Sequence, residues 1–203
     1  EAMPLSFGDL WIMTFHSFCE RVLRESAIHI GLDPKYNLMT TAESVDFLKQ
    51  NLFEFGLDYF RPLGNPTKFL EGLLKHFSRL QDEDINPNEY LNWAKNLKIE
   101  DLLEKKKWIE LSSAYQKYSE LKVKNSLMDF ADLITNTFKL FKERPNVLKN
   151  YQKKFKYILI DEFQDTDALQ WDIFQKLFLE GSLKALYLVG DPKQSIYRFR
   201  KAD

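Results

Sequence analysis

The stretch that decides the fold is Tyr157-Ile158-Leu159-Ile160-Asp161-Glu162-Phe163-Gln164-Asp165-Thr166. Its first four residues are apolar without interruption, the pattern of a parallel strand buried on both faces, whereas a strand with one wet face alternates. The run ends on two adjacent carboxylates. A second run, Ala185-Leu186-Tyr187-Leu188-Val189, ends similarly at Gly190-Asp191. Between the two, Trp171, Phe174, Leu177 and Phe178 recur at helical spacing and stop before Gly181, a residue that suits a helix C-terminus. Strand, helix and strand make a βαβ unit, which places the chain in the α/β class with a parallel sheet.

Upstream, Leu10-Trp11-Ile12-Met13 is a third apolar run, expected as another strand of that sheet. Thr14-Phe15-His16-Ser17 follows it, and then a helical pattern through Phe18, Val22 and Leu23. From about Thr40 to Asn150 the pattern is helical, with five to seven helices expected. Their start signals satisfy the free N–H groups of a first turn: Thr40 with Glu43 as a capping box, and Asn65-Pro66 and Asn86-Pro87 with proline at the first helical position. Gly56 is expected to end the first of these helices. Pro145 is expected to end the one carrying Phe130, Leu133, Ile134, Phe138 and Phe141. The expected division is residues 1–30 and 151–203 in the sheet-bearing part, separated by a helical insertion over residues 31–150. No repeats or low-complexity segments interrupt it.

At 203 residues, with 44% hydrophobic and 15% aromatic content, the chain can build one substantial core or two small ones. Its 29 basic and 30 acidic residues nearly cancel, so a nucleic-acid site must come from local clustering rather than bulk charge. A single cysteine, Cys19, excludes an internal disulfide framework. No apolar run approaches the roughly 20 residues that span a bilayer, and the N-terminus lacks a basic region followed by an apolar stretch. A cytoplasmic protein with no membrane partner is expected. Glu1-Ala2-Met3-Pro4-Leu5 begins abruptly, as a cut chain does.

The carboxylates carry the chemistry. Asp161 and Glu162 sit where a parallel strand ends, at the edge where α/β proteins bind ligands. In phosphate hydrolysis one carboxylate holds the magnesium shell while its neighbour, pointing another way, orients or deprotonates water. Asp161 is read for metal and Glu162 for water. A bare Asp-Glu pair would read as a solvated acidic turn, and Asp165 and Asp167 are read as helix caps.

The whole string from Ile158 to Thr166, followed by Gln170, resembles helicase motif II of the UvrD/Rep group of superfamily 1 DNA helicases. Leu188-Val189-Gly190-Asp191-Pro192-Lys193-Gln194-Ser195-Ile196-Tyr197-Arg198-Phe199-Arg200 resembles that family's motif III. Thr14-Phe15-His16-Ser17-Phe18-Cys19 resembles its short DNA-contacting motif, and Met128-Asp129-Phe130-Ala131-Asp132-Leu133 the helix segment preceding motif II. Asp-Pro-Lys-Gln, and Asp-Thr-Asp after Gln164, look closer to the RecB/AddA branch.

The resemblance implies a partial RecA-like P-loop NTPase sheet with a large inserted all-helical subdomain. It also implies an ATP-dependent helicase that moves on single-stranded DNA and unwinds duplex DNA in repair or recombination. Carried over, Asp161 coordinates Mg2+ with Glu162 able to share it, Glu162 activates water, and Gln194 senses the terminal phosphate of ATP. Tyr197 and Phe199 stack on bases, Arg200 and Arg198 add positive charge, and Thr14, Phe15 and His16 face the strand. A second nuclease or helicase subunit is a further implied partner. Read without the resemblance, residues 197–200 are an edge segment with buried aromatics and solvated arginines, and His16 is a capping or packing residue. The basic clusters Lys105-Lys106-Lys107 and Lys153-Lys154-Lys156 read as solvated helix faces.

A phosphate loop, Gly-x-x-x-x-Gly-Lys-Ser/Thr, is not opened by any of the seven glycines. The 203 residues are therefore expected to be a fragment, lacking the second RecA-like domain as well and showing no ATPase or unwinding alone. Lys201 replaces the glycine common after motif III. Two rivals stand beside this reading: a magnesium-dependent nuclease using Asp161, Glu162, Asp165 and Asp191, and a catalytically inactive DNA-binding or docking module of the same fold.

Overall fold

The structure is a computed structural model that describes residues 10–60, 66–178, 183–191 and 193. Among these, helix α1 (Phe15–Ser26) leads to strand β1 (Asn37–Leu38), α2 (Thr41–Gln50), α3 (Pro66–Asp82), α4 (Pro87–Asn96) and α5 (Leu102–Lys124). Strand β2 (Leu127–Met128), α6 (Phe130–Glu143), α7 (Pro145–Lys154), β3 (Tyr157–Ile160), α8 (Ala168–Phe178) and β4 (Ala185–Leu188) complete the order. The result is α/β, mostly helical with two small parallel sheets.

The helices begin where short polar side chains satisfy the first free N–H groups. Thr40 Oγ1 accepts from Glu43 N–H at 3.3 Å while the Glu43 carboxylate accepts from Thr40 N–H at 2.7 Å, closing the expected capping box. Asn86 caps α4 with Pro87 in first position, and Asp101 caps α5. Pro145 both follows the end of α6 and opens α7. Gly56, left-handed at φ 60°, ends not α2 itself but the short 3-10 turn Leu52–Phe55 that follows it. Among the described residues, six α-helices occupy the stretch from Thr40 to Asn150, within the expected range. Gly181 lies outside the described residues.

Strands β3 and β4 pair in parallel with Tyr157 opposite Ala185 and Ile160 opposite Leu188, and α8 is their crossover, as the sequence predicts. Two expectations are corrected. Residues 10–13 form no strand: Trp11 instead packs edge-on against Phe155 at 5.2 Å and Tyr151 at 6.5 Å, held by aromatic contact rather than by a ladder. Nor is β3 buried on both faces. Ile160 points into the core, whereas Tyr157 is 62% and Leu159 67% exposed, so one face of this sheet carries apolar side chains into solvent.

Two apolar clusters form. The first joins α1, α6, α7 and α8, with Val22, Leu23, Leu133, Phe141 and Ile173 buried at its centre. The second lies within α2 to α5 around Leu48, Leu70, Phe77 and Tyr118. By packing, α6 and α7 go with the sheet, so the clusters do not part at residue 150. The chain leaves for the second cluster after β1 and returns at β2, and these two strands pair in parallel, Asn37 with Leu127 and Leu38 with Met128.

Candidate functional site

Strand β3 delivers Asp161 and Glu162, both exposed, to the C-terminal edge of its sheet. The ladder runs past both strands: Val189 N–H donates to the Ile160 carbonyl at 2.9 Å, and Phe163 N–H returns to the Val189 carbonyl at 2.9 Å. The chain thus folds back over the end of β4. To make that turn Glu162 adopts a left-handed backbone, φ 53° and ψ 40°, a conformation disfavoured for a residue with a side chain. Its N–H donates to Asp161 Oδ1 at 3.0 Å.

Gln164 ties the two loops together. Its Nε2 donates to Glu162 Oε2, and its Oε1 accepts from Asp191 N–H at 3.0 Å. The approach requires Gly190, where a Cβ would stand 2.5 Å from Gln164 Oε1 and 3.2 Å from the backbone nitrogens of Phe163 and Gln164. Asp191 Oδ1 accepts from Lys193 N–H at 2.9 Å, starting the next turn. The Phe163 ring rests edge-on against Trp171 at 5.3 Å, anchoring the turn to α8. Asp167 caps α8 by accepting from Gln170 N–H at 2.8 Å, the structural role expected of it.

Among the described residues no group of three or more His, Cys, Asp or Glu side chains is arranged to hold a metal ion, so Asp161, Glu162, Asp165 and Asp191 do not gather into a nuclease-type cluster. Magnesium at a phosphate site asks for less. It keeps several waters and takes one or two carboxylates together with phosphate oxygens. Asp161 beside Glu162 on an open strand end is a donor set of that kind.

A second group forms at the start of α1. Thr14 caps the helix, its Oγ1 accepting from Ser17 N–H at 3.2 Å and lying 3.0 Å from Ser17 Oγ, and both hydroxyls are exposed. His16 is half-buried, and its ring meets Phe130 edge-on at 6.0 Å. Burial holds the His16 pKa below the ordinary histidine value, partly offset by the nearby Asp167 carboxylate. At neutral pH the ring is neutral. Phe15 departs from expectation: its ring packs against Phe174 at 4.8 Å and Phe18 at 6.1 Å and anchors α1 to the first cluster instead of facing outward. Phe130 takes the outward position, 46% exposed beside His16. Sequence reasoning passed over Phe130 and Gln164 as site residues, although both stand inside quoted motifs.

Gln194, Tyr197, Arg198, Phe199 and Arg200 lie outside the described residues. The basic clusters have local partners: Lys106 pairs with Asp58 at 3.7 Å, and Lys107 and Lys154 sit over the rings of Tyr59 and Trp11, both at 4.3 Å.

Residues 2–203 match the sequence profile of the family described as UvrD/REP helicase N-terminal domain. The chain is similar to the ATP-dependent DNA helicase PcrA of Bacillus subtilis, 36% identical over 196 residues that cover 96% of the chain and 24% of that protein. It is 32% identical over 197 residues to the probable DNA helicase II homolog of Mycoplasma capricolum, covering 97% of the chain and 26% of the relative. Against the DNA helicase II of Haemophilus influenzae the identity is 32% over 198 residues, covering 97% and 24%. The chain spans about a quarter of the length of these curated relatives.

Proposed function

Because this chain belongs to the UvrD/REP helicase N-terminal domain family, we propose that it forms part of an ATP-dependent DNA helicase, contributing the metal-and-water side of the ATPase and part of the single-strand groove. The observation that carries the reading is the Gln164 bridge, which holds Glu162 to the Gly190-Asp191 turn immediately before Gln194. Two loops that must act together at a terminal phosphate are thereby one hydrogen-bonded unit.

In this reading Asp161 holds Mg2+, which when bound neutralises charge on the phosphate oxygens of ATP. Glu162, its carboxylate fixed by the Gln164 amide, orients the attacking water and accepts its proton. Gln194, three residues after Asp191 in the sequence, senses the terminal phosphate. Thr14 and His16 meet the DNA strand together with Phe130, while Phe15 supports them from beneath; Tyr197, Phe199 and Arg200 extend the contact. The sheet-bearing part is a portion of a RecA-like domain, and the helical insertion runs between β1 and β2 rather than to residue 150. Alone, these 203 residues hydrolyse no ATP, since no phosphate-loop sequence is among them. The relatives' names, PcrA and DNA helicase II, add no support for a RecB/AddA branch, a nuclease domain or a second subunit.

The test is ATP hydrolysis by the intact gene product that contains this chain, with and without oligo(dT). DNA-stimulated turnover is expected, and Glu162→Gln should lower kcat by about 100-fold or more, the scale of removing a general base, with ATP binding retained. Unchanged turnover in that variant, or metal-dependent nicking of plasmid without ATP, contradicts the reading.

A further inference from the structure

The first turn of α6 is held by more than its own cap. Asp129 and Asp132 form a capping box, each carboxylate accepting the other's N–H at 2.9 Å. Both also accept from Lys122 Nζ on α5, at 2.6 Å each. Tyr118 OH donates to Asp129 at 3.0 Å, and Gln81 Nε2 on α3 donates to Asp132 at 2.7 Å. Lys122 is 3% exposed. A buried ammonium and two partly buried carboxylates, 17% and 15% exposed, therefore meet at the seam between the two apolar clusters.

Stability does not call for such a cluster, because a buried ion pair is often no better than apolar side chains of equal volume, while losing one partner is costly. What it supplies is a fixed position. Apolar packing does not set the spacing here: a cleft of about 500 Å³ opens along this seam, lined by Gln81, Lys122, Met128, Asp132 and Asn136 among others. Phe130 lies between the two aspartates and, one element further, its ring meets His16.

We infer that Lys122 is a positioning residue for the nucleic-acid-facing pair His16 and Phe130, fixing the first turn of α6 from the helical insertion so that the insertion's placement is transmitted to the strand groove. This rests on the proposed DNA role of that pair. Neither Lys122 nor Gln81 touches the strand. They act on it through Asp129, Asp132 and the Phe130 they flank.

The experiment reads the two layers separately in the 203-residue chain. His16 Hε1 and Hδ2 resonances carry the ring-current shift of Phe130, calibrated by Phe130→Leu. In Lys122→Gln they are expected to move most of the way to their Phe130→Leu positions, and in Gln81→Leu part of the way. A purely structural role would lower the unfolding midpoint and leave these resonances in place. Should Lys122→Gln fail to fold, Gln81→Leu decides: His16 resonances at their wild-type positions in that folded variant overturn the inference. Affinity for fluorescein-labelled oligo(dT) is expected to fall about fivefold in Phe130→Leu, the lower end for losing one stacked base. In Lys122→Gln the fall should be similar, with no further loss in the double variant. Displaced resonances with oligo(dT) affinity unchanged in every variant, Phe130→Leu included, uphold the positioning and sink the DNA role; affinity lost in Phe130→Leu with resonances unmoved in the other two sinks the positioning alone.

Discussion

Glu162 is held in a disfavoured backbone conformation, at the position where the proposed chemistry needs a carboxylate. A left-handed backbone at a residue with a Cβ costs on the order of 1–2 kcal/mol, and glycine would relieve it, but glycine has no carboxylate. The hydrogen bonds of Phe163 N–H to Val189 and of the Gln164 amide to Glu162 offset that cost. The same reasoning reaches Gly190. Any side chain there meets Gln164 Oε1, which is fixed by Asp191 N–H, so the clash cannot be relieved by swinging Gln164 away without breaking the bridge. Gly190→Ala is expected to lower stability by about 1 kcal/mol, the scale of the hydrogen bond lost when Gln164 is pushed aside, read as a lower urea midpoint. An unchanged midpoint would mean that Gln164 moves freely and bridges nothing. The Asp161-Glu162 pair was legible in the sequence because a strand end with adjacent carboxylates is a local pattern. The bridge was not, because it depends on how closely Gly190 approaches from the neighbouring strand.

At the scale of elements, the helix starts were legible because caps are local chemistry: Thr40 with Glu43, Asn86 with Pro87, and Pro145 behave as their types dictate. Residues 10–13 did not, since a strand needs a neighbour and an apolar run reads alike whether it joins a ladder or lets Trp11 seek aromatic partners. The first turn of α6 has a consequence for pH. Burial, and then the adjacent Asp129 charge, push the Asp132 carboxyl up to about 6; at Asp129 burial is the largest influence and pushes upward, but the Lys122 charge and the hydrogen bonds from Lys122, the Asp132 N–H and Tyr118 together hold its carboxyl below the usual carboxylate range. A carboxyl with a raised folded pKa binds its proton more tightly when folded. Its contribution is fully present below about pH 4, the unfolded value, and is lost as pH rises through about 6. Asp129 has the opposite sign, contributing above its unfolded value and losing that contribution as pH falls through its depressed one. Asp132→Asn removes only the first effect and leaves a neutral Lys122–Asp129 pair. The variant is therefore expected to gain on the wild type between pH 4 and 7 by on the order of 2 kcal/mol, read from urea midpoints across that range. A constant difference at every pH would show that Asp132 titrates normally.

For the whole molecule, the α/β class and the long run of helices after Thr40 were legible, while the seam between the two clusters was not. Periodicity marks helices but does not say which cluster a helix joins, and α6 and α7 join the sheet because the buried sides of Leu133, Phe141 and Val147 meet α1 and α8. Each half holds its own core, so cooperativity depends on what crosses the seam, above all the cluster around Lys122, which ties α3 and α5 to the first turn of α6. The tryptophans divide accordingly. Trp93 and Trp108 touch each other at 5.5 Å, Trp108 lying against the second cluster, while Trp11 packs on the first and Trp171 on the Phe163 turn. Replacing one pair by phenylalanine leaves the other as a reporter of its own half. In the otherwise wild-type chain both reporters are expected to follow one urea transition, as a coupled two-state unit requires. With Lys122→Gln the partly buried carboxylates lose their cation, a break worth up to about 3 kcal/mol, the lower end for cutting a buried pair, and the loss falls on α5 and α6 at the seam itself. The Trp93 and Trp108 transition should then separate from that of Trp11 and Trp171 and move to lower urea. If the two reporters already diverge before the substitution, or still coincide after it, the halves are not coupled through Lys122.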